Sequence, residues 1–178
     1  MRHKNKKKKR VKQSFDFVAN QEWKSPVMNN YISAIKATKD LFNHYFIQIE
    51  GKEHYSECDI KDLYNYKDKI MEMKNDFREK SNNIDISGFI EGFEYFDSNI
   101  VKKIDQAYID TKKNVSLNMN RMSEIIPEKE NIKDYCKVNN EMKEYKNILD
   151  ALSRKDDVLY MNDMISSIDV GMAALQRQ

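Results

Sequence analysis

Apolar positions recur at three- and four-residue steps along most of the chain, and nowhere do they alternate as in a half-buried strand. The first stripe runs through Val27, Met28, Tyr31, Ile32, Ile35, Leu41, Phe42, Tyr45, Phe46 and Ile49. Ser25 followed by Pro26 offers a cap and a proline where a missing N–H costs least, and Gly51 offers a stop. A second helix is expected from near Asp59, with Ile60, Leu63, Tyr66, Ile70, Met73 and Phe77 on one face, ending at Ser81-Asn82-Asn83.

The third stripe is the longest. From Ser87 onward it takes in Phe89, Phe93, Phe96, Ile100, Ile104, Ala107, Thr111, Val115, Asn118, Met122 and Ile125. Phe89, Ile100, Thr111 and Met122 stand eleven residues apart, as do Phe93, Ile104, Val115 and Ile126. That period belongs to a nearly straight helix. One helix of about 38 residues, roughly 55–60 Å long, would end before Pro127. Gly88 and Gly92 loosen its start, and Thr111 and Asn118 put polar groups in its stripe, so a break at residues 112–114 is the competing expectation.

Beyond Pro127, Ile132, Tyr135, Val138, Met142, Tyr145, Leu149 and Leu152 follow heptad-like spacing. Ser153-Arg154-Lys155-Asp156-Asp157 is expected to be a turn. Val158, Met161, Ile165, Ile168, Met172 and Leu175 form a last stripe. The pattern therefore specifies an all-α fold, an elongated bundle of four or five helices spanning residues 25–178 as a single domain. Its long third helix carries a stripe from which a coiled coil could also be built.

Composition supports helices. Four glycines and two prolines in 178 residues leave little material for tight turns. Two distant cysteines, Cys58 and Cys136, build no disulfide framework. No window reaches the about 18–20 continuous apolar residues of a membrane span, and the basic start lacks the apolar core of a secretory signal, so an intracellular place is expected, cytoplasmic or at the nucleoid or nucleus.

Charge changes the picture more. The chain has 31 bases and 29 acids, yet residues 1–13 contain eight bases and no acid: Arg2, Lys4, Lys6, Lys7, Lys8, Lys9, Arg10 and Lys12. The remaining residues hold 23 bases against 29 acids. A disordered polybasic tail is thus expected on a mildly acidic body. Residues 14–24 read as a short linker or lid, with Phe15, Phe17 and Trp23 as candidate apolar anchors. The tail could contact nucleic-acid phosphates without base selectivity, hold an anionic membrane surface, or serve as an import signal. Only four arginines lie outside it, which disfavours base-specific reading by the body.

Catalytic chemistry finds little support. His54 and Cys58 are four residues apart, but two ligands do not make a zinc site, and no oriented base or oxyanion pocket accompanies a Cys-His pair. The glycines never form a phosphate loop, and no Glu-x-x-His pair supports a di-iron bundle. Neither metal nor cofactor nor small-molecule substrate is expected. The last stripe offers a different chemistry: Met161, Met164, Ile168, Met172 and Leu175 include adaptable side chains common at binding surfaces. The reading is a non-enzymatic helical adaptor or assembly protein that binds a protein or a second copy of itself, with the tail for localisation. The alternative is a nucleic-acid-associated protein, of phage or mobile-element type, whose tail contacts phosphates.

Overall fold

A computed structural model describes residues 51–80 and 85–177, together with Ser33, Lys36, Ala37, Asp40, Leu41, Asn43, His44 and Ile49. The tail, the aromatic segment 14–24 and most of the expected first helix lie outside the described residues. Four long helices carry the fold: α1 (Glu57–Lys80), α2 (Ser87–Glu124), α3 (Ile132–Ala151) and α4 (Lys155–Gln176). No strand occurs among the described residues, and none of the described helices is long and apolar enough to cross a membrane.

Helix α1 starts at Glu57, two residues before the expected Asp59, because Ser56 and Asp59 cap it reciprocally. The Ser56 backbone N–H and hydroxyl donate to Asp59 Oδ2 at 2.9 and 2.8 Å, and the Asp59 N–H donates back to Ser56 Oγ at 3.3 Å. This is the capping-box arrangement with an aspartate in the third position. Helix α2 opens in a simpler way. Asp85 Oδ1 accepts the Ser87 N–H at 3.0 Å, a bond that lowers the pKa of the Asp85 carboxyl.

The chain divides into two compact units, one holding the described residues up to Glu53 and Asp62–Lys102, the other His54–Lys61 and residues 103–177. In the first unit, α1 and α2 bury Leu63, Tyr66, Ile70 and Phe77 with Phe93, Phe96 and Ile100. Phe77 stands 5.7 Å from the Phe89 ring and 5.5 Å, edge-on, from that of Phe93. Lys74 bonds Glu94 at 2.9 Å while Phe77, further along α1, meets the earlier Phe89 of α2, so the two helices run antiparallel here. His44 Nδ1 meets the Tyr66 hydroxyl, and Ile49 is fully buried.

In the second unit, the rest of α2 packs with α3 and α4 around Val115, Val138, Met142, Leu149, Met161 and Ile165. Helix α2 is unbroken over 38 residues, as the eleven-residue repeat predicts, and no break occurs at 112–114. Its two polar stripe positions are buried and bonded. Thr111 Oγ1 donates to the Ala107 carbonyl at 2.7 Å, and Asn118 Nδ2 donates to Glu141 Oε2 at 2.9 Å. The repeat overreaches only at its end: the helix stops at Glu124, and Ile126 is 60% exposed.

A short link with a 3-10 turn (Lys129–Asn131) joins α2 to α3. Tyr135 donates its hydroxyl to the Ile125 carbonyl at 2.9 Å, and Asn131 Nδ2 donates to the Ile126 carbonyl at 3.1 Å. Helices α3 and α4 form an antiparallel hairpin whose turn is shorter than expected. Lys155, Asp156 and Asp157 already belong to α4, where two acids suit the positive end of the helix dipole. The reversal itself needs only Leu152, Ser153 and Arg154. Arg154 N–H donates to the Leu149 carbonyl and Ser153 N–H to that of Asp150, with Ser153 at φ 57°. These are the bonds of a Schellman cap, with serine where glycine is usual.

Candidate functional site

The second unit leaves one side of its three helices open. A groove of about 770 Å³ runs between α2 and α4, floored by α3. Asn118, Met119, Met122 and Ser123 line it from α2, and Tyr135, Val138 and Met142 from α3. The wall from α4 includes Tyr160, Asp163, Met164, Ser167, Ile168, Gly171, Met172, Ala174 and Leu175. Five of the chain's ten methionines therefore meet in one apolar trough. Methionine is unbranched and polarisable, so such a surface can adjust its shape to an apolar occupant.

The candidate interface residues divide along this trough. Met161 is 1% exposed and lies in the unit's own core. Met164, Ile168 and Met172 are half-buried on the groove wall, and Leu175 is buried at its end. Sequence periodicity had no means of separating these roles, because it ranks positions by face and not by what stands opposite. It also missed Met119, Tyr160, Ser167 and Gly171. For the three on α4 the signal is a gap in charge: Tyr160 to Gln176 contains only Asp163 and Asp169 in a chain that is 34% charged. Leu159, Tyr160 and Val170 accordingly expose more than half of their surfaces. A helix with apolar residues around most of its circumference is one that is ordinarily covered.

Polar contacts fix the walls. Tyr108 donates its hydroxyl to Asp157 Oδ2 at 2.9 Å, Lys112 bonds Asp157 Oδ1 at 2.5 Å, and the Arg154 guanidinium lies 4.3 Å from the Tyr108 ring centre. The Lys112 bond holds the Asp157 carboxyl below its ordinary pKa and raises that of Lys112. Between α2 and α3, Arg121 Nη1 donates to Glu141 Oε2 at 3.0 Å and, within α2, to Asn118 Oδ1 at 3.1 Å. Within the hairpin, Asn139 Nδ2 donates to Asp169 Oδ1 at 2.6 Å, and Lys143 reaches the same oxygen at 3.3 Å. The amide oxygen of Asn139 is enclosed without a hydrogen-bond partner.

The cysteine and histidine positions stay apart. His54 is exposed and precedes α1, so it does not share a helical face with Cys58, which is also exposed. Cys136 is half-buried, with its Sγ 3.6 Å from the Met172 sulfur. Among the described residues no three His, Cys, Asp or Glu side chains gather as a metal site. The anchors Phe15, Phe17 and Trp23 and the eight tail bases lie outside the described residues. Comparison with protein-family models, curated proteins and solved structures finds no match.

Proposed function

We propose that this chain is a non-enzymatic helical interaction protein of adaptor or assembly type. It takes an apolar helical surface into the groove between α2 and α4, and its basic tail carries it to an anionic location. The methionine-lined groove supports the reading best. It joins an adaptable apolar lining to an α4 face almost free of charge, and the few polar groups along it suit binding better than bond-making. The eight bases of residues 1–13 favour the second reading, a protein associated with nucleic acid through phosphate contacts.

Capture from the native cell separates them, using the full chain, a Met164→Lys variant and a variant with all eight tail bases replaced by glutamine. The first reading expects a defined protein retained by the full chain and the tail variant but lost with Met164→Lys. Retention of nucleic acid alone, abolished only in the tail variant and by moderate salt, would replace it with the second.

A further inference from the structure

We propose that the groove takes an amphipathic helix of another protein, one whose apolar stripe is flanked by basic side chains that pair with Asp156 and Asp163. The inference rests on the interaction-protein reading and names the chemistry of its partner.

The shape of the site selects a helix. Its walls are α2 and α4 and its floor is α3, so the backbone groups behind the lining are already bonded along each helix. No strand edge stands open among the described residues, which leaves an extended peptide without main-chain partners. The α4 wall runs from Tyr160 to Leu175, about 22 Å, the length of four helical turns. A helix of that length meets Met119 and Met122 on one side and Met164 and Ile168 on the other. Apolar side chains at three- and four-residue steps are the anchors such a trough accepts.

Charge selects the sign of the occupant. Asp163 is the only ionic side chain among the lining residues. Residues 156–176 of α4 hold four acids and no base. Two of the four are engaged, Asp157 with Lys112 and Tyr108, and Asp169 with Asn139 and Lys143. Asp156 and Asp163 are exposed, and among the described residues neither carboxylate has a hydrogen bond or an ion pair. They stand seven residues apart, about 10.5 Å along α4 and within about 20° of each other around it, so they form one acidic edge.

The neighbouring bases leave that edge unanswered. Lys112 and Arg121 are bonded to Asp157 and Glu141, and Arg154 lies over the Tyr108 ring. Measured around α4 from Gly171, in the middle of the lining, Asp156 and Asp163 stand at about 60° and 80°, on the groove's rim. Arg177 and Lys155 stand at about 120° and 160°, on the far side. Lys113 is about 120° from Met119 around α2, and Lys129, past Pro127, has Glu128 and Glu130 beside it. Exposed ion pairs add little affinity, so apolar contact holds the helix and the acids decide which helix is accepted.

The test uses two synthetic helices of about five turns with the same leucine stripe, one flanked by lysines and one by glutamates, labelled for fluorescence anisotropy. Both are titrated against the full-length chain whose eight tail bases are glutamine, because the native tail would itself attract the acidic helix. The lysine helix is titrated against the native chain as well. It should bind roughly tenfold tighter than the glutamate helix at about 0.05 M salt, with the gap closing at about 0.5 M. Asp156→Lys together with Asp163→Lys should reverse the preference, at unchanged helix content by circular dichroism, and Met164→Lys should weaken both helices. Equal affinity for the two, or a preference that the double reversal leaves in place, overturns the inference. If Met164→Lys still abolishes that binding, the groove accepts an apolar helix of any charge and the interaction reading stands. Binding of neither helix at about 100 micromolar also overturns the inference. So does a dimer in sedimentation that Met164→Lys dissociates, which would give the groove to a second copy of this chain.

Discussion

The two units bury their helices with different side chains. The first closes on rings, Phe77 against Phe89 and Phe93, with Phe96 also buried. The second closes on Met142 and Met161 among branched aliphatics, and keeps Met119, Met122, Met164 and Met172 along an open side. A ring has few rotamers and fixed edges, so it specifies one geometry. A thioether chain has three rotatable bonds and fills whatever space is offered. The adaptable side chains thus gather in the second unit, where the candidate site lies.

The sharpest way to break this contrast is to cut both interiors. Replaced by the same residue, the two buried positions should respond differently in chemical denaturation: Phe93→Leu loses ring contacts that a branched chain does not refill, and should cost more than Met142→Leu, which should cost less than about 1.5 kcal/mol. Equal losses would remove the distinction. A smaller effect tests whether the second unit is held by its hairpin. Ser153→Gly should raise stability by about 0.5–1 kcal/mol, because it relieves a side chain at positive φ. An unchanged or lowered denaturation midpoint would mean that the serine is not strained there.

The smallest effect concerns pH. The Asp157 carboxyl has its pKa lowered chiefly by Lys112, so its contribution is present above the unfolded value, about 3.9, and is lost as pH falls through the lower folded value. Asp157→Asn should therefore cost at most about 1 kcal/mol at pH 7, since Lys112 is half exposed, and less as the pH falls below the unfolded value. Melting temperatures of the two proteins should converge on acidification. A gap that does not narrow on acidification would show that this charge does not stabilise the fold.

Helix existence and length were legible in the spacing of apolar residues. The eleven-residue repeat gave α2 nearly to the residue, because burial of every third or fourth side chain is what the helix satisfies. Local polar geometry was less legible. The Ser56–Asp59 cap moved the start of α1, and Ser153 tightened the hairpin so that expected turn residues became helix. Thr111 and Asn118 looked like reasons for a break, yet a carbonyl one turn back and a glutamate on α3 satisfy them. The groove was half legible. Periodicity found the methionines of α4, but the opposite wall at Met119 and Met122 depends on which helices become neighbours.

Asn139 has a consequence for folding fidelity. Two amphipathic helices can slide past each other by a turn and still cover much of their apolar surface, so burial alone discriminates weakly among alignments. A shift by one turn would carry Asn139 away from Asp169 and leave its amide nitrogen, as well as its oxygen, without a partner in the interior. The residue acts as a vernier mark between α3 and α4, contributing little to the depth of the native minimum and much to its separation from the neighbouring one.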